Sequence, residues 1–538
     1  MHLGLLPVDW ASSCRQGVVG TLRLLPVNLA FVGNAARSRR HQLIEAAGWP
    51  AVVTVACAGA TAGFFCWYAY LTHGPHSTLL LEASLLLALF TGPLIALALW
   101  DAYARYFAHR TDIAYAAALR WDVPSWAALV LLWMMLVAPG GLSAQGRTVA
   151  LTGAMFCVLK LLVAARFNAT VRDVLVTFVV TRVPIIIIAE LAAVIVGQRA
   201  GVHFAASGNP LLAVWGRWDA EHYIGIATTG YSGTEPAFFP LYPLLIFLAG
   251  QFTGNHLLAG LLISNAASFF ALLYLYKLVE HEFNRQVAHR AVFYVSIFPT
   301  AIFFSAVYSE SLFLCFSVAS FYYIRERRWL LAGACGFLAA LTRVEGVLLA
   351  VPFLIEWGIA LYESRGDWFK WPVDTALKPL AGLALVPLGL VSYMAYLWVL
   401  RGDPLYFSHV QAHWGRYLAP PWVSFGHAFR LITGDYAPQT IANQLLEVTF
   451  TVLMLGVLAI GFRRLRASYI AYMAVSVLVP LSTSSLMSMP RFALVLFPMF
   501  ALFGLWGAKP VVNNIIVAFS LPLLGLFTVL FADWYWVA

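Results

Sequence analysis

The chain has 538 residues, 62% of them hydrophobic and only 11% charged, with a formal net charge of +9. Soluble domains carry about 25% charged residues, and the mean hydropathy here is +0.81, so a soluble globular fold is excluded. The positive charges fall in short stretches between apolar runs, which points to membrane orientation and away from nucleic acid.

The chain opens with a basic stretch that includes Arg37, Arg39 and Arg40. It reads as a cytosolic lead-in able to lie on the membrane surface, with no removable signal peptide evident. Apolar runs of about 20 residues then recur to Phe531, each read as long enough to cross a hydrocarbon core of about 30 Å as a helix. The short alternating segments of a membrane barrel are not seen. The runs lie at 49–72, 78–100, 124–139, 147–165, 173–197, 256–279, 291–307, 310–325, 329–342, 346–362, 379–399, 444–461, 467–485, 492–507 and 511–531. The expected class is therefore all-α, a polytopic protein of about fifteen spans with further helices at its outer interface. One more apolar stretch, 237–253, carries Pro240 and Pro243 near its start. Reading it as re-entrant or interfacial keeps Arg325, Arg327, Arg328, Arg463, Arg464 and Arg466 cytoplasmic, and the Lys and Arg then divide roughly three to one in favour of the cytoplasm.

Parity places the N-terminus in the cytoplasm and Trp534, Tyr535 and Trp536 at the outer interface, where aromatic belts sit. Residues 1–165 read as the lead-in plus four appended helices, and 166–538 as the main membrane domain. Six cysteines, Cys14, Cys57, Cys66, Cys157, Cys315 and Cys335, form no C-x-x-C pair, so neither a disulfide framework nor a zinc site is indicated.

Polar chemistry gathers in two long external loops and at a few span ends. In 198–255 the run Trp215-Gly216-Arg217-Trp218-Asp219-Ala220-Glu221-His222-Tyr223 concentrates acid, base, aromatic and cation. A short helix from Ala220 to Thr229 would have Asp219 as N-cap and Gly230 at its end. A carboxylate there stays ionised and can still accept a proton, so Asp219 is the first candidate for a general base and Glu221 the second. Arg217, His222, Tyr308, Glu310, Arg343 and Arg491 are candidate substrate contacts. Arginine suits a phosphate through its permanent charge and its fork of donors, though Arg343 can equally pair with Glu345. Glu190 is the one obvious deep acid of the main domain and is expected to make a structural hydrogen bond. His409 and His413 have the i, i+4 spacing of metal ligands but lack the glutamate of H-E-x-x-H, and an interfacial helix with Trp414 and Tyr417 is the preferred reading. No nucleotide-cradling motif is present, which argues against a cytosolic nucleotide-sugar donor.

The ordered set Arg217 to His222, Ile226-Ala227 with Gly230-Tyr231, Ala237 to Pro240, Phe304 to Ser311, Leu341-Thr342-Arg343 with Gly346, and Pro490-Arg491-Phe492 with Phe497-Pro498 resembles the PIG-V family of mannosyltransferases, among the GT-C glycosyltransferases. The resemblance spans about residues 172–531. It implies a GT-C-like fold, a catalytic acid in the first long external loop (here Asp219, with Glu221 in support), and a polyprenyl- or dolichyl-phosphate sugar donor. It further implies transfer with inversion to a hydroxyl of a lipid or glycan acceptor, mannose being the sugar of the eukaryotic family. The appended helices suggest a bacterial relative in the plasma (inner) membrane, with the site facing outward. Membrane lipids are the expected partners. No resident cofactor or metal ligand set is expected, with a divalent cation left open. The alternative class is a polytopic transporter or lipid flippase, which would call for related halves and acids near mid-membrane.

Overall fold

A computed structural model describes residues 168–196, 210–363 and 373–537. The lead-in, the four appended helices and Lys160 lie outside the described residues. Those described form helices α1 (Ala169–Ile195), α2 (Asp219–Thr229), α3 (Leu241–Thr253), α4 (His256–Glu282), α5 (Arg285–Ser296), α6 (Glu310–Arg325), α7 (Trp329–Thr342), α8 (Ala350–Glu363), α9 (Val373–Arg401), α10 (Pro421–Thr433), α11 (Pro438–Gly461), α12 (Ala467–Leu481), α13 (Met489–Val495), α14 (Phe497–Trp506) and α15 (Pro510–Ala532). The β pairing described is one isolated antiparallel bridge, Leu418 to Thr483.

Among the described residues six helical stretches are long and apolar enough to cross a membrane: α1, α4, α9, α11, α15 and Val344–Glu363. They correspond to the expected runs at 173–197, 256–279, 379–399, 444–461, 511–531 and 346–362. The 492–507 run is instead the pair α13 and α14, bent by 71°. Pro498 lacks the N–H that would continue the helix and disfavours helical geometry in the residue before it. The runs at 310–325, 329–342 and 467–485 are helices of 16, 14 and 15 residues, about 21–24 Å at the helical rise. The stretch at 237–253 is a helix of 13 residues, Leu241–Thr253. At 291–307 the expected span is broken, because α5 stops at Ser296 ahead of Pro299. Arg182, buried in the middle of α1, takes up carbonyls of that break, donating to Ser296 O at 2.8 Å and Ala301 O at 2.7 Å.

Helices α7 and α9 cross backbone to backbone. A Cβ added at Gly333 would stand 2.1 Å from the carbonyl oxygen of Gly382, and one added at Gly382 would stand 2.3 Å from that of Trp329. Small residues permit such contact in a bundle where lipid supplies no hydrophobic drive. Gly333→Val is therefore expected to separate the helices and cost about 1–3 kcal/mol, as overpacking against an unyielding neighbour does. A lowered thermal midpoint in detergent measures it; an unchanged midpoint would show that the crossing can relax.

Helix α6 links two polar ends. At its C-terminal end Arg325 bonds Glu282 and, at 3.1 Å, Glu356, which also accepts from Arg466 and Ser468. At its N-terminal end lies Glu310, about 22 Å away along the axis.

Candidate active site

Helix α2 begins at Asp219, with Trp218 as the residue before it and no side-chain cap. The expectation that Asp219 caps a helix starting at Ala220 is thus corrected: its carboxylate is directed to Arg491 instead. Gly230, at φ 83°, ends the helix as expected, its N–H bonding Ile226 O. Trp218 has φ 59°, a left-handed conformation unusual for a side chain of its size. It is held by aromatic contacts, its ring lying 5.7 Å from Trp534 and 5.4 Å from Trp536. Such strain is kept where the surroundings dictate it, commonly at functional sites. Trp534 is buried in this packing and does not belong to a lipid-facing belt. The turn is pinned from the other side as well. Tyr308 accepts the Asp219 N–H at 3.3 Å and donates to Arg217 O at 3.1 Å, and the Val307 N–H bonds Trp215 O.

Four side chains that are far apart in the chain then meet. Arg491 places Nη1 2.6 Å from Asp219 Oδ2, and its Nε and Nη2 lie 2.7 and 2.6 Å from Glu310 Oε1. Arg343 Nη1 reaches the same Glu310 oxygen at 2.8 Å, while its Nε lies 3.5 Å from Glu345. The result is a ladder of alternating charge, Asp219, Arg491, Glu310, Arg343, Glu345. Rings cover the cations: Arg491 lies 5.1 Å from Phe303, 5.0 Å from Tyr308 and 5.9 Å from Trp536, and Arg343 lies 5.6 Å from Phe492. The low dielectric beneath those rings strengthens the pairing.

The candidates separate into two layers. Arg217, Tyr308 and Glu310, expected as substrate contacts, are at most 1% exposed and lie beneath the others. Arg217 lies over the Trp534 ring at 5.2 Å, and Asp533 is the nearby acid. In the upper layer the Asp219 side chain is 21% exposed. Arg491 holds one of its carboxylate oxygens, and the other has no hydrogen-bond partner among the described residues. That is the geometry a proton acceptor needs. Arg343 is 13% exposed. His222 stacks on Phe238 at 4.6 Å, and Trp414 meets that ring edge-on.

Glu221 is half-buried without a hydrogen-bond partner among the described residues, and burial pushes its carboxyl up to about 7 from an ordinary 4.5. The sign follows from linkage: with the folded value raised, ionisation in the folded state is the costly form, so stability falls as pH climbs from about 4.5 to about 7. Glu221→Gln is expected to raise the thermal midpoint at pH 8 and leave it unchanged near pH 4. An equal effect at both would mean that the carboxylate is not penalised by burial.

Other expectations resolve more simply. Glu190 accepts from Trp215 Nε1 at 2.9 Å, the structural bond anticipated for it. It is not the one deep acid, since Glu356 and Glu447 are both buried in apolar helices. His409 pairs with Asp403 at 2.7 Å and His413 packs on Trp414, in a helical turn that changes type at Val410. Glu447 is the most consequential residue not foreseen. Its two oxygens accept the N–H groups of Ser488 (2.9 Å) and Met489 (2.7 Å), at the start of the short helix that carries Arg491. Ser488 has φ 72° there. A lone acid near the start of an apolar run is the signal that marks it.

Parts of the chain are similar to known proteins. A family described as dolichyl-phosphate-mannose-protein mannosyltransferase matches residues 235–391, a segment that holds Tyr308, Glu310 and Arg343. GPI alpha-1,6-mannosyltransferase 2 of Cricetulus griseus is 31% identical over 208 residues, 35% of this chain and 41% of that protein. GPI mannosyltransferase 2 of Schizosaccharomyces pombe is 30% identical over 149 residues, 27% of this chain and 32% of that one. The chain thus matches less than half the length of these relatives. The apo oligosaccharyltransferase of Archaeoglobus fulgidus aligns over 65% of this chain and 55% of its own at 15% identity, with a TM-score of 0.32.

Proposed function

We propose that this chain, PIG-V-like in the segment it shares with the GPI mannosyltransferases, is a multi-pass membrane glycosyltransferase that moves mannose from a polyprenyl-phosphate donor to an acceptor hydroxyl. The carrying observation is Asp219, held through one oxygen by Arg491 and open at the other. In the reaction the acceptor oxygen attacks the anomeric carbon as the bond from that carbon to the phosphate oxygen breaks. Asp219 takes the hydroxyl proton, and polyprenyl phosphate leaves with the bonding pair. One displacement inverts the anomeric carbon. Arg491 and Arg343 supply positive potential where negative charge grows on the leaving oxygen.

In this reading the site faces away from the cytoplasm of a bacterial inner membrane, because the arginine-rich end of α6 lies at the opposite pole and positive residues favour the cytoplasm. The names of the matched family and relatives favour a transferase over the transporter alternative. Incubating the purified full-length protein in nanodiscs with radiolabelled polyprenyl-phosphate mannose and a panel of lipid acceptors tests the chemistry. Label should pass to an acceptor or, slowly, to water, and a donor left intact under all conditions rejects the reading. A cysteine placed at the exposed Ser232 should react with an impermeant maleimide from outside the cell. Labelling only after permeabilisation reverses the orientation.

A further inference from the structure

We propose that Arg416, between α9 and α10, is a third cationic contact for the phosphate of the lipid-linked donor, an inference that rests on the glycosyltransferase reading above. The ladder leaves the need for it visible. Asp219, Glu310 and Glu345 are three carboxylates paired with only two guanidiniums, and Arg491 has every nitrogen committed, Nη1 to Asp219 and the other two to Glu310. The carboxylates offset the positive potential of Arg343 and Arg491, so a phosphate placed beside them calls for one more cation.

Arg416 is held by the loop that leads to Arg491. Its segment is stitched to the loop before α13: the Ala419 N–H bonds Ser482 O at 2.9 Å, the Ser484 N–H bonds Tyr417 O at 3.0 Å, and the Ser484 hydroxyl bonds Gly415 O at 2.7 Å. These contacts carry the guanidinium to Met487, whose carbonyl accepts from Nη2, four residues before Arg491. Its Nε–H is buried and has no acceptor among the described residues. Its charge is within electrostatic reach of Asp219, Glu345, Arg491 and Glu447. A buried N–H left without an acceptor is costly. A phosphate oxygen is the acceptor that the guanidinium fork fits best. Anchored by one nitrogen to the backbone, Arg416 has its reach set by the same loop that positions Arg491.

Binding of farnesyl phosphate to the full-length protein in nanodiscs tests this, with farnesol and phosphatidylinositol as companion probes. Arg416→Gln should weaken farnesyl phosphate by about 10–100-fold, the scale of a lost charge-assisted hydrogen bond. Arg416→Lys should fall between, and farnesol should be unaffected. Unchanged farnesyl phosphate binding overturns the assignment, whether or not phosphatidylinositol is weakened. An equal loss for farnesol and farnesyl phosphate also overturns it, because a disturbed loop would not discriminate between them. Wild-type protein that binds no polyprenyl phosphate of any length rejects the functional reading itself.

Discussion

Asp219→Asn should slow sugar transfer by about 10²–10⁴, the loss typical of a missing general base, while the protein folds as before. The substitution is nearly isosteric, and the amide oxygen can still accept from Arg491 Nη1, which now lies 2.6 Å from Oδ2. The Arg491 side chain also remains fixed by Glu310. The ability to take up a proton is what disappears. The defect should therefore fall on kcat with donor affinity kept, and near-normal kcat would remove Asp219 from the chemistry. Glu221, with its carboxyl at about 7, defines the opposing pattern. Were it the base, the rate would climb with pH through neutrality and Glu221→Gln would abolish that rise.

Much of this site is legible in the sequence because its residues cluster where apolar runs end. Asp219, Glu310, Arg343 and Arg491 each interrupt hydrophobic sequence at a boundary, and ionisable groups in such places require partners. The sequence does not show which partners they take. Glu310 and Arg491 are separated by 181 positions yet share two short contacts, a pairing set by helix packing and by the 71° bend between α13 and α14. For the same reason the burial of Arg217 and Tyr308 is not visible in the sequence. Their burial comes from Trp534 and Phe531 at the far end of the chain. Helix boundaries follow the same rule. Apolar runs alone suggest full spans at 310–325 and 329–342, but hydropathy does not separate a short helix buried among protein neighbours from a lipid-facing one. Proline and glycine carry the information that corrects it: Pro299 ends α5, Pro498 bends α13 from α14, and Gly333 lets α7 approach α9.

The largest stability effect is expected at Glu310. Fully buried, it accepts on Oε1 from Arg491 Nε, Arg491 Nη2 and Arg343 Nη1. Glu310→Ala removes the acceptor of all three donors and leaves two cations facing each other across a cavity. Breaking a buried ion pair from one side costs about 3–5 kcal/mol, a large part of the stability of most folded domains. Glu310→Gln keeps the amide oxygen in place but not the charge, so it should fall between Ala and wild type. A double-mutant cycle with Arg343→Met distinguishes this account from simple loss of packing. If Arg343 is destabilising once its partner has gone, removing it should recover about 0.5–3 kcal/mol in the Glu310→Ala background. Strictly additive losses on unfolding in detergent would show that the two side chains are not coupled. Transfer should fail in Glu310→Ala even where the protein is folded, because Arg491, which aims the carboxylate of Asp219, is then held from one side only.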